Sequence, residues 1–175
     1  TRPRTFAQKA VSREWPSFLF ARMCALIRGM KDFESRSLAE TAAAAREWLA
    51  DVSSIYSASD EAVVAGLSGH LGAGKTAFTK AVAKELGVTE TVTSPTFVLM
   101  KIYETTNPRW PRLIHIDAYR LERPEELAAL QWESLVADKN NLILVEWPEN
   151  VGLKEFGKGL DLKFEIRGGA YTVRF

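Results

Sequence analysis

The sequence predicts an α/β fold, a three-layer domain with a mainly parallel central sheet and a C-terminal hairpin. Short, almost wholly apolar runs recur along the chain, as expected for strands covered on both faces. Segments with apolar residues at helical spacing lie between these runs. The pattern G-x-x-x-x-G-K-[ST] at residues 69–76 lies between such a run and such a segment. Together these observations predict a P-loop NTPase-like domain.

The composition fits one domain in a reducing compartment. The chain has 175 residues, of which 46% are hydrophobic, enough for one core. Its single cysteine, Cys24, excludes an intramolecular disulfide and a cysteine-based metal site, so we expect a cytoplasmic protein. Residues 1–31 contain seven basic residues and one acid, and the remainder contains 16 basic and 21 acidic residues. That mildly acidic remainder argues against a large nucleic-acid surface.

We divide the chain into a basic N-terminal extension, residues 1–31, and a nucleotide-binding domain, residues 32–175. Residues 15–27 are rich in apolar side chains but contain Arg22 and are too short to span a bilayer, so we expect no membrane anchor. We expect the natural start at or near Met30. A helical extension or partner-binding arm and an organellar targeting segment remain alternatives.

The first predicted elements are a helix, a strand and the P-loop. Apolar positions from Leu38 to Leu49 predict an amphipathic helix that has Ser37 as N-cap and Glu40 at the capping-box position. Residues 51–61 have the composition of a polar loop. We expect a buried strand at residues 62–67 and, after the P-loop, a helix that begins at Thr76 and ends before Gly87.

The P-loop residues have separate chemical roles. Gly69, Gly72 and Gly74 permit close approach of the backbone N–H groups to an anion. Lys75 supplies a positive charge, and Thr76 supplies a hydroxyl for magnesium. The sequence thus predicts binding of a nucleoside triphosphate with Mg²⁺.

The second half of the domain alternates predicted strands with loops and one helix. A hydroxyl-rich stretch, residues 89–96, precedes a predicted strand at 97–103, and it is either a functional loop or an ordinary one. Apolar strands are predicted at 112–117 and 141–146. The remaining predictions are a helix from Pro124 through Leu135, and a closing hairpin formed by 160–166 and 171–175.

Both predicted strands end on an acid. Asp117 and Glu146 each follow four or more mostly apolar residues, so both can lie at the carboxyl edge of the sheet that also holds the P-loop. We expect Thr76 and Glu146 to hold Mg²⁺, and Asp117 to share the metal shell or to orient the attacking water. His115 is expected to be a core or supporting residue rather than a base. Trp147 either shields the nucleotide or contacts a partner.

Several segments resemble the bacterial TsaE (YjeE) family, the P-loop ATPase component of threonylcarbamoyladenosine synthesis on tRNA. They are residues 69–76, Ser94-Pro-Thr-Phe97, His115-Ile-Asp-Ala-Tyr-Arg-Leu121, Pro124-Glu-Glu-Leu127 and Val145-Glu-Trp-Pro148. The resemblance covers about residues 32–166. Members commonly have Asp at the position of His70 and a bulkier apolar residue at that of Ala118. These departures concern partner contacts more than ATP binding.

The resemblance implies a weak ATPase that resets the TsaD and TsaB synthase subunits, stimulated by these partners. It implies metal ligation by Thr76 and Glu146, hydrolysis supported by Asp117, and a switch-like loop at residues 94–96. Contact with tRNA is expected to be indirect. The expected catalytic residues are Lys75, Asp117 and Glu146, and the expected ligands of Mg²⁺ are Thr76, Glu146 and Asp117. The expected ATP contacts are Gly69, His70, Leu71, Gly72, Ala73, Gly74, Lys75, Thr76, Ala77, Thr96, Trp147 and, for adenine, Thr41.

Two other functions remain open at this stage. A small-molecule kinase would need a lid with arginines, for which Arg109, Arg112, Arg120 and Arg123 are the candidates. A nucleotide-sensing adaptor would bind ATP and a partner without turnover. A GTPase is disfavoured, because the segment that begins at Asp117 lacks the glycine of a D-x-x-G switch and the chain has no N-K-x-D motif.

Overall fold

The computed structural model describes residues 31–153, 156 and 160–175. The predicted extension therefore lies outside the described residues except for Lys31, whose backbone pairs with that of Phe175. The strands are β1 Asp32–Ser35, β2 Val63–Gly69, β3 Met100–Glu104, β4 Arg112–Asp117, β5 Asn141–Glu146, β6 Asp161–Arg167 and β7 Ala170–Arg174. The α-helices are α1 Leu38–Ile55, α2 Lys75–Glu85 and α3 Trp132–Ala137, and 3₁₀-helices span Ala118–Arg120, Pro124–Leu130 and Pro148–Val151. In the described residues, no helix has the length and apolar character needed to cross a membrane.

The described strands form one sheet in the order β1-β7-β6-β2-β5-β4-β3. The four central strands β6, β2, β5 and β4 are parallel, and antiparallel pairs complete both edges. Strands β6 and β7 form the predicted C-terminal hairpin. Its turn contains Gly168 and Gly169, both with positive φ, as a tight hairpin turn of the primed type requires. The predicted fold class is confirmed.

Two layers cover the sheet. On one face α1 and α2 pack together, and the ring of Phe78 lies between those of Trp48 and Phe164, with centroids 5.7 and 5.5 Å away. On the other face, the 3₁₀-helices and α3 cover residues such as Ile114 and Val145. Because side chains alternate along a strand, the odd-numbered residues of β4 face α1 and α2.

The start of the first helix is as predicted, but its end is not. Ser37 is the N-cap, and its Oγ accepts a hydrogen bond from the Glu40 backbone at 3.2 Å. The Glu40 carboxylate reaches back to the N–H of Arg36 rather than that of Ser37. The predicted loop at residues 51–61 is wrong for its first half, because α1 continues to Ile55 with Val52 buried one turn after Trp48.

Two further predictions need correction. The strand predicted from Phe97 begins only at Met100, because the chain first turns at Pro95, whose carbonyl accepts a hydrogen bond from the N–H of Val98 at 2.8 Å. Phe97 and Val98 are consequently exposed. The helix predicted through Leu135 is interrupted at Gln131, whose φ of 57° separates a 3₁₀ segment from α3.

Candidate functional site

The glycine-rich loop joins β2 to α2 at the carboxyl edge of the parallel strands. Gly72 and Gly74 have φ values of 78° and 104°, and φ is not positive at Ala73 or Lys75. Alternation of this kind turns successive N–H groups toward one concave side and favours an anion there. Gly69 is needed for a different reason, since a Cβ at this position would lie 2.3 Å from the carbonyl oxygen of Phe164.

Lys75 is buried at the start of α2 and folds back over the loop. Its Nζ donates hydrogen bonds to the carbonyl oxygens of Gly69 at 2.6 Å and His70 at 3.0 Å. The same Nζ lies 3.9 Å from the ring centroid of Trp147, within the range of a cation–π contact. His70 thus contributes its backbone, and its side chain is exposed.

The electrostatic surroundings of Lys75 are negative. Burial lowers the pKa of this ammonium group from its ordinary value, and the charges of Glu146, Glu149 and Asp117 oppose that effect. A polyphosphate bound over the loop would be attracted by the ammonium group and repelled by these carboxylates. A divalent cation between phosphate and carboxylates would remove that repulsion.

Glu146 is the last residue of β5 and is 3% exposed. Its Oε1 accepts a hydrogen bond from Thr76 Oγ1 at 2.8 Å and lies 2.8 Å from Nε2 of His115. In the parallel register of β4 and β5, Asp117 is directly opposite Glu146. The two strand-end acids are therefore neighbours, beside the first turn of α2.

Asp117 has a different set of partners. Its Oδ2 accepts hydrogen bonds from Ser94 Oγ at 3.1 Å and Thr96 Oγ1 at 2.5 Å, and its Oδ1 accepts one from the N–H of Tyr119 at 3.0 Å. The hydroxyl-rich stretch is therefore hydrogen-bonded to Asp117. Glu146 is held by a helix and a strand, whereas Asp117 is held largely by a loop.

A cavity of about 340 Å³, here called the carboxylate cavity, lies between these groups. Its lining residues are Leu71, Gly72, Ala73, Gly74, Lys75, Thr76, Ala77, Ser94, Thr96, Asp117, Tyr119, Glu146 and Trp147. The described residues contain no cluster of three His, Cys, Asp or Glu side chains placed to hold a metal. The available donors, two carboxylates and one hydroxyl, fit Mg²⁺, which takes few protein ligands and completes its octahedron with phosphate and water oxygens.

A second cavity of about 450 Å³, here called the hairpin cavity, lies on the other side of the P-loop. It is lined by the start of α1, by the loop and by the β6–β7 hairpin. Thr41 Oγ1 lies 2.7 Å from Ser35 Oγ, and both hydroxyls are within 3.2 Å of the carbonyl oxygen of Ser37. Tyr171 lies beside Gly74. Sequence reasoning missed Ser35 and Tyr171, because nothing local to β1 or β7 indicates that they meet.

The structure brings together most of the residues named from the sequence. Of the expected ATP and metal contacts, Thr41 lines the hairpin cavity, and Gly72, Ala73, Gly74 and Ala77 line both cavities. Gly69 and His70 contribute carbonyl oxygens to Lys75 and line neither cavity. The other expected contacts line the carboxylate cavity. What each residue does there stays a prediction.

Comparison with known proteins identifies relatives of this chain. Residues 35–172 match the family model described as threonylcarbamoyl adenosine biosynthesis protein TsaE. Proteins named tRNA threonylcarbamoyladenosine biosynthesis protein TsaE match at 35% identity over 105 residues in Mycobacterium bovis and 36% over 109 residues in Borreliella burgdorferi. These matches cover 57% and 61% of this chain.

The matches cover 61% of the mycobacterial protein and 76% of the borrelial one, so the chain spans about three-fifths of the length of the mycobacterial relative. The crystal structure of Bacillus subtilis YdiB superposes with a TM-score of 0.59 at 25% identity, covering 85% of this chain and 86% of that one. The likeness supports the P-loop NTPase-like fold. Because the family model matches most of the sequence, the chain belongs to the TsaE family.

Proposed function

We propose that this protein binds ATP with Mg²⁺ and hydrolyses it as the component that resets the TsaD and TsaB synthase of tRNA threonylcarbamoyladenosine, at position 37 of ANN-decoding tRNAs. The observation that carries the proposal is the meeting of Asp117 and Glu146 beside Thr76 of the P-loop. The names of the family and of its relatives support the pathway. We place the activity in the cytoplasm, with contact to tRNA indirect.

Each group in the carboxylate cavity has a distinct part in this proposal. Bound Mg²⁺ would neutralise phosphate charge and polarise the group that is transferred to water. Thr76 and Glu146 hold the ion, directly or through water. Asp117 shares the metal shell or orients the attacking water, and Lys75 turns from the loop carbonyls to the phosphates. Trp147 covers Lys75 and shields this end of the cavity.

The hairpin cavity is the proposed site of the adenine base. The hydroxyl hydrogens of Ser35 and Thr41 are used within their own cluster, on each other or on the carbonyl of Ser37. The cluster therefore offers lone pairs rather than hydrogens to a ligand. Adenine presents an amino group that donates to such lone pairs, whereas guanine presents a carbonyl oxygen at the same position. This difference supports ATP over GTP.

Exposed apolar side chains near the carboxylate cavity support the need for a partner. Leu71 and Phe97 are 78% and 84% exposed, and Val98 and Tyr119 are also exposed. In a cavity that is open to bulk water, the electrostatic interactions that support hydrolysis are weak, so turnover is slow. A protein that covers these apolar side chains would exclude bulk water from the carboxylates. We therefore expect weak turnover by the protein alone and faster turnover with TsaD and TsaB.

Two of the four arginines that could serve a kinase lid are engaged away from the carboxylate cavity. Arg109 donates to the carbonyl oxygen of Tyr56 at 2.7 Å, and Arg112 pairs with Asp138 at the opposite end of β4. Arg120 lies over the ring of Phe97, 4.6 Å from its centroid. The contacts of Arg109 and Arg112 support transfer of phosphate to water rather than to a metabolite.

The decisive experiment measures ATP turnover by the purified protein, alone and with TsaD and TsaB of the same organism. We expect stimulation by the partners and its loss in Glu146→Ala, with Glu133→Ala as the control because that glutamate is exposed on α3. Undiminished turnover in Glu146→Ala would overturn the metal assignment. Phosphate found on a metabolite would indicate a kinase. A pull-down by the partners that depends on ATP, with no turnover, would indicate an adaptor.

A further inference from the structure

His115 is a polar residue in an otherwise apolar part of the core. It lies in the middle of β4 between Ile114 and Ile116 and is 0% exposed. Its Nδ1 is buried and has no hydrogen-bond partner among the described residues. A buried nitrogen without a partner destabilises the fold, and an apolar side chain at this position would avoid that cost. The interaction made by the other ring nitrogen, Nε2, compensates for this cost.

That interaction is with Glu146. Nε2 lies 2.8 Å from Oε1, and since an ionised carboxylate only accepts hydrogen bonds, Nε2 is the nitrogen with the hydrogen. In the strand register His115 pairs with Leu144, so Glu146 lies two residues further along β5 on the same face of the sheet. The contact is thus built into the pairing of two buried strands.

The two donors on Oε1 orient the carboxylate. Thr76 approaches from the first turn of α2, and His115 approaches from β4. In the part of the chain that the structure describes, no hydrogen bond to Oε2 of Glu146 is found. Oε1 is therefore anchored by two rigid elements, whereas Oε2 has no such partner in the described residues, and Glu146 lines the carboxylate cavity.

We infer that His115 is a positioning residue for the metal site, which holds Glu146 so that Oε2 meets the cation of a bound Mg²⁺–nucleotide. The inference rests on the proposed function for the identity of the cation. His115 itself lines neither cavity. Its effect passes through the carboxylate, as hydrogen-bonded partners of metal ligands commonly act.

Two substitutions separate the hydrogen bond from the packing. His115→Leu fills the space without a donor, and His115→Gln places an amide N–H close to the position of Nε2. The readout is the Mg²⁺ concentration for half-maximal binding of a fluorescent ATP analogue, measured without partners. Affinity in EDTA and the midpoint of thermal unfolding are measured alongside.

We expect His115→Leu to raise the Mg²⁺ requirement about 10-fold, at the lower end of the effects seen when such partners are removed. His115→Gln should stay within about threefold of the wild type, and affinity in EDTA should change less than about twofold in both variants, because neither substitution touches the P-loop. Should His115→Leu not fold, His115→Asn, whose shorter amide falls near Nδ1 and away from Glu146, serves in its place. In a Glu146→Ala background the second substitution should add nothing to the Mg²⁺ requirement.

The outcomes distinguish this inference from the proposed function. A folded His115→Leu protein with an unchanged Mg²⁺ requirement, or equal impairment of the Leu and Gln variants, overturns the inference even where ATP is hydrolysed. Additive effects with Glu146→Ala overturn it as well. A Mg²⁺ requirement that depends on His115 supports the inference even if the wild-type protein, with its partners, has no ATPase activity.

Discussion

The two cavities that meet at the P-loop are built from different parts of the sheet. The carboxylate cavity lies at the ends of the parallel strands β4 and β5 and contains three buried charged groups, Lys75, Asp117 and Glu146, beside neutral hydroxyls. The hairpin cavity lies between α1 and the antiparallel edge, and apart from the exposed Arg36 its polar side chains are neutral hydroxyls. Charged and neutral hydrogen bonds differ in strength, so substitutions in the two cavities should differ in effect.

Substitutions in the two cavities should also change different measured properties. Groups in the carboxylate cavity lie beside the proposed phosphates and should affect turnover, Mg²⁺ dependence and phosphate affinity. The hydroxyl side chains of the hairpin cavity, which the carboxylate cavity does not share, should affect the choice of base alone. Four substitutions, from the largest expected effect to the smallest, test this division.

Asp117→Asn should have the largest effect among them. The substitution keeps the size of the side chain and removes the charge that holds Thr96 and that we propose orients water or metal. We expect partner-stimulated turnover to fall at least about 100-fold, the lower range for loss of a general base. Steady-state hydrolysis assays check this, and Asp60→Asn, an exposed aspartate before β2, is the matched control. A loss of turnover below about threefold would show that Asp117 only caps the 3₁₀-helix that follows and does not support hydrolysis.

Lys75→Ala should reduce affinity for ATP about 50-fold, because a charge-assisted hydrogen bond contributes about 1.5–3 kcal/mol. Calorimetric titration measures this change, with Lys80→Ala, an exposed lysine on α2, for comparison. Affinity for adenosine, which has no phosphate, should be unchanged in both variants. A parallel loss of adenosine affinity would show that Lys75 supports the whole site rather than the phosphates.

Thr96→Val should lower turnover about 10-fold and reduce ATP affinity by a smaller factor, since Thr96 is also an expected ATP contact. The loss is at the low end for a hydrogen bond to a charged group, because Ser94 still donates to the same oxygen of Asp117. Single-turnover kinetics separate this step from binding, and Thr91→Val, an exposed residue of the same stretch, is the control. Equal loss of turnover in both variants would indicate that turnover depends on the backbone conformation of the loop and not on the hydrogen bond to Asp117.

The carboxylate cavity was largely predictable from the sequence, and the hairpin cavity was not. Asp117 and Glu146 end apolar strands, and parallel strands place such ends at the same edge of the sheet, where the adjacency of β4 and β5 makes them neighbours. The contact of His115 with Glu146 depends on strand register, which residue type does not reveal. Phe97 and Val98 have strong β propensity, but the turn at Pro95 overrides it.

The hairpin cavity was not predicted because its residues are far apart in the sequence. Ser35 and Tyr171 pair in the register of β1 and β7, although they belong to opposite ends of the domain. Both contribute to the hairpin cavity together with Thr41, which was named from the sequence as the expected adenine contact. A site built from neutral hydroxyls on separate segments has no local pattern that sequence reasoning could detect.

Thr41→Val should have the smallest effect and a different signature. Valine matches threonine in shape and removes the oxygen that we propose accepts from the adenine amino group. In the lower part of the range for a neutral hydrogen bond, about 0.5–1 kcal/mol, ATP affinity should fall roughly 2- to 5-fold, with GTP affinity and saturated turnover unchanged. Competition binding with both nucleotides measures this, and Thr89→Val, an exposed threonine after α2, is the control. Equal losses for ATP and GTP would mean that the hydroxyl shapes the cavity without reading the base, whereas reduced turnover would mean that the two cavities are coupled through the P-loop they share.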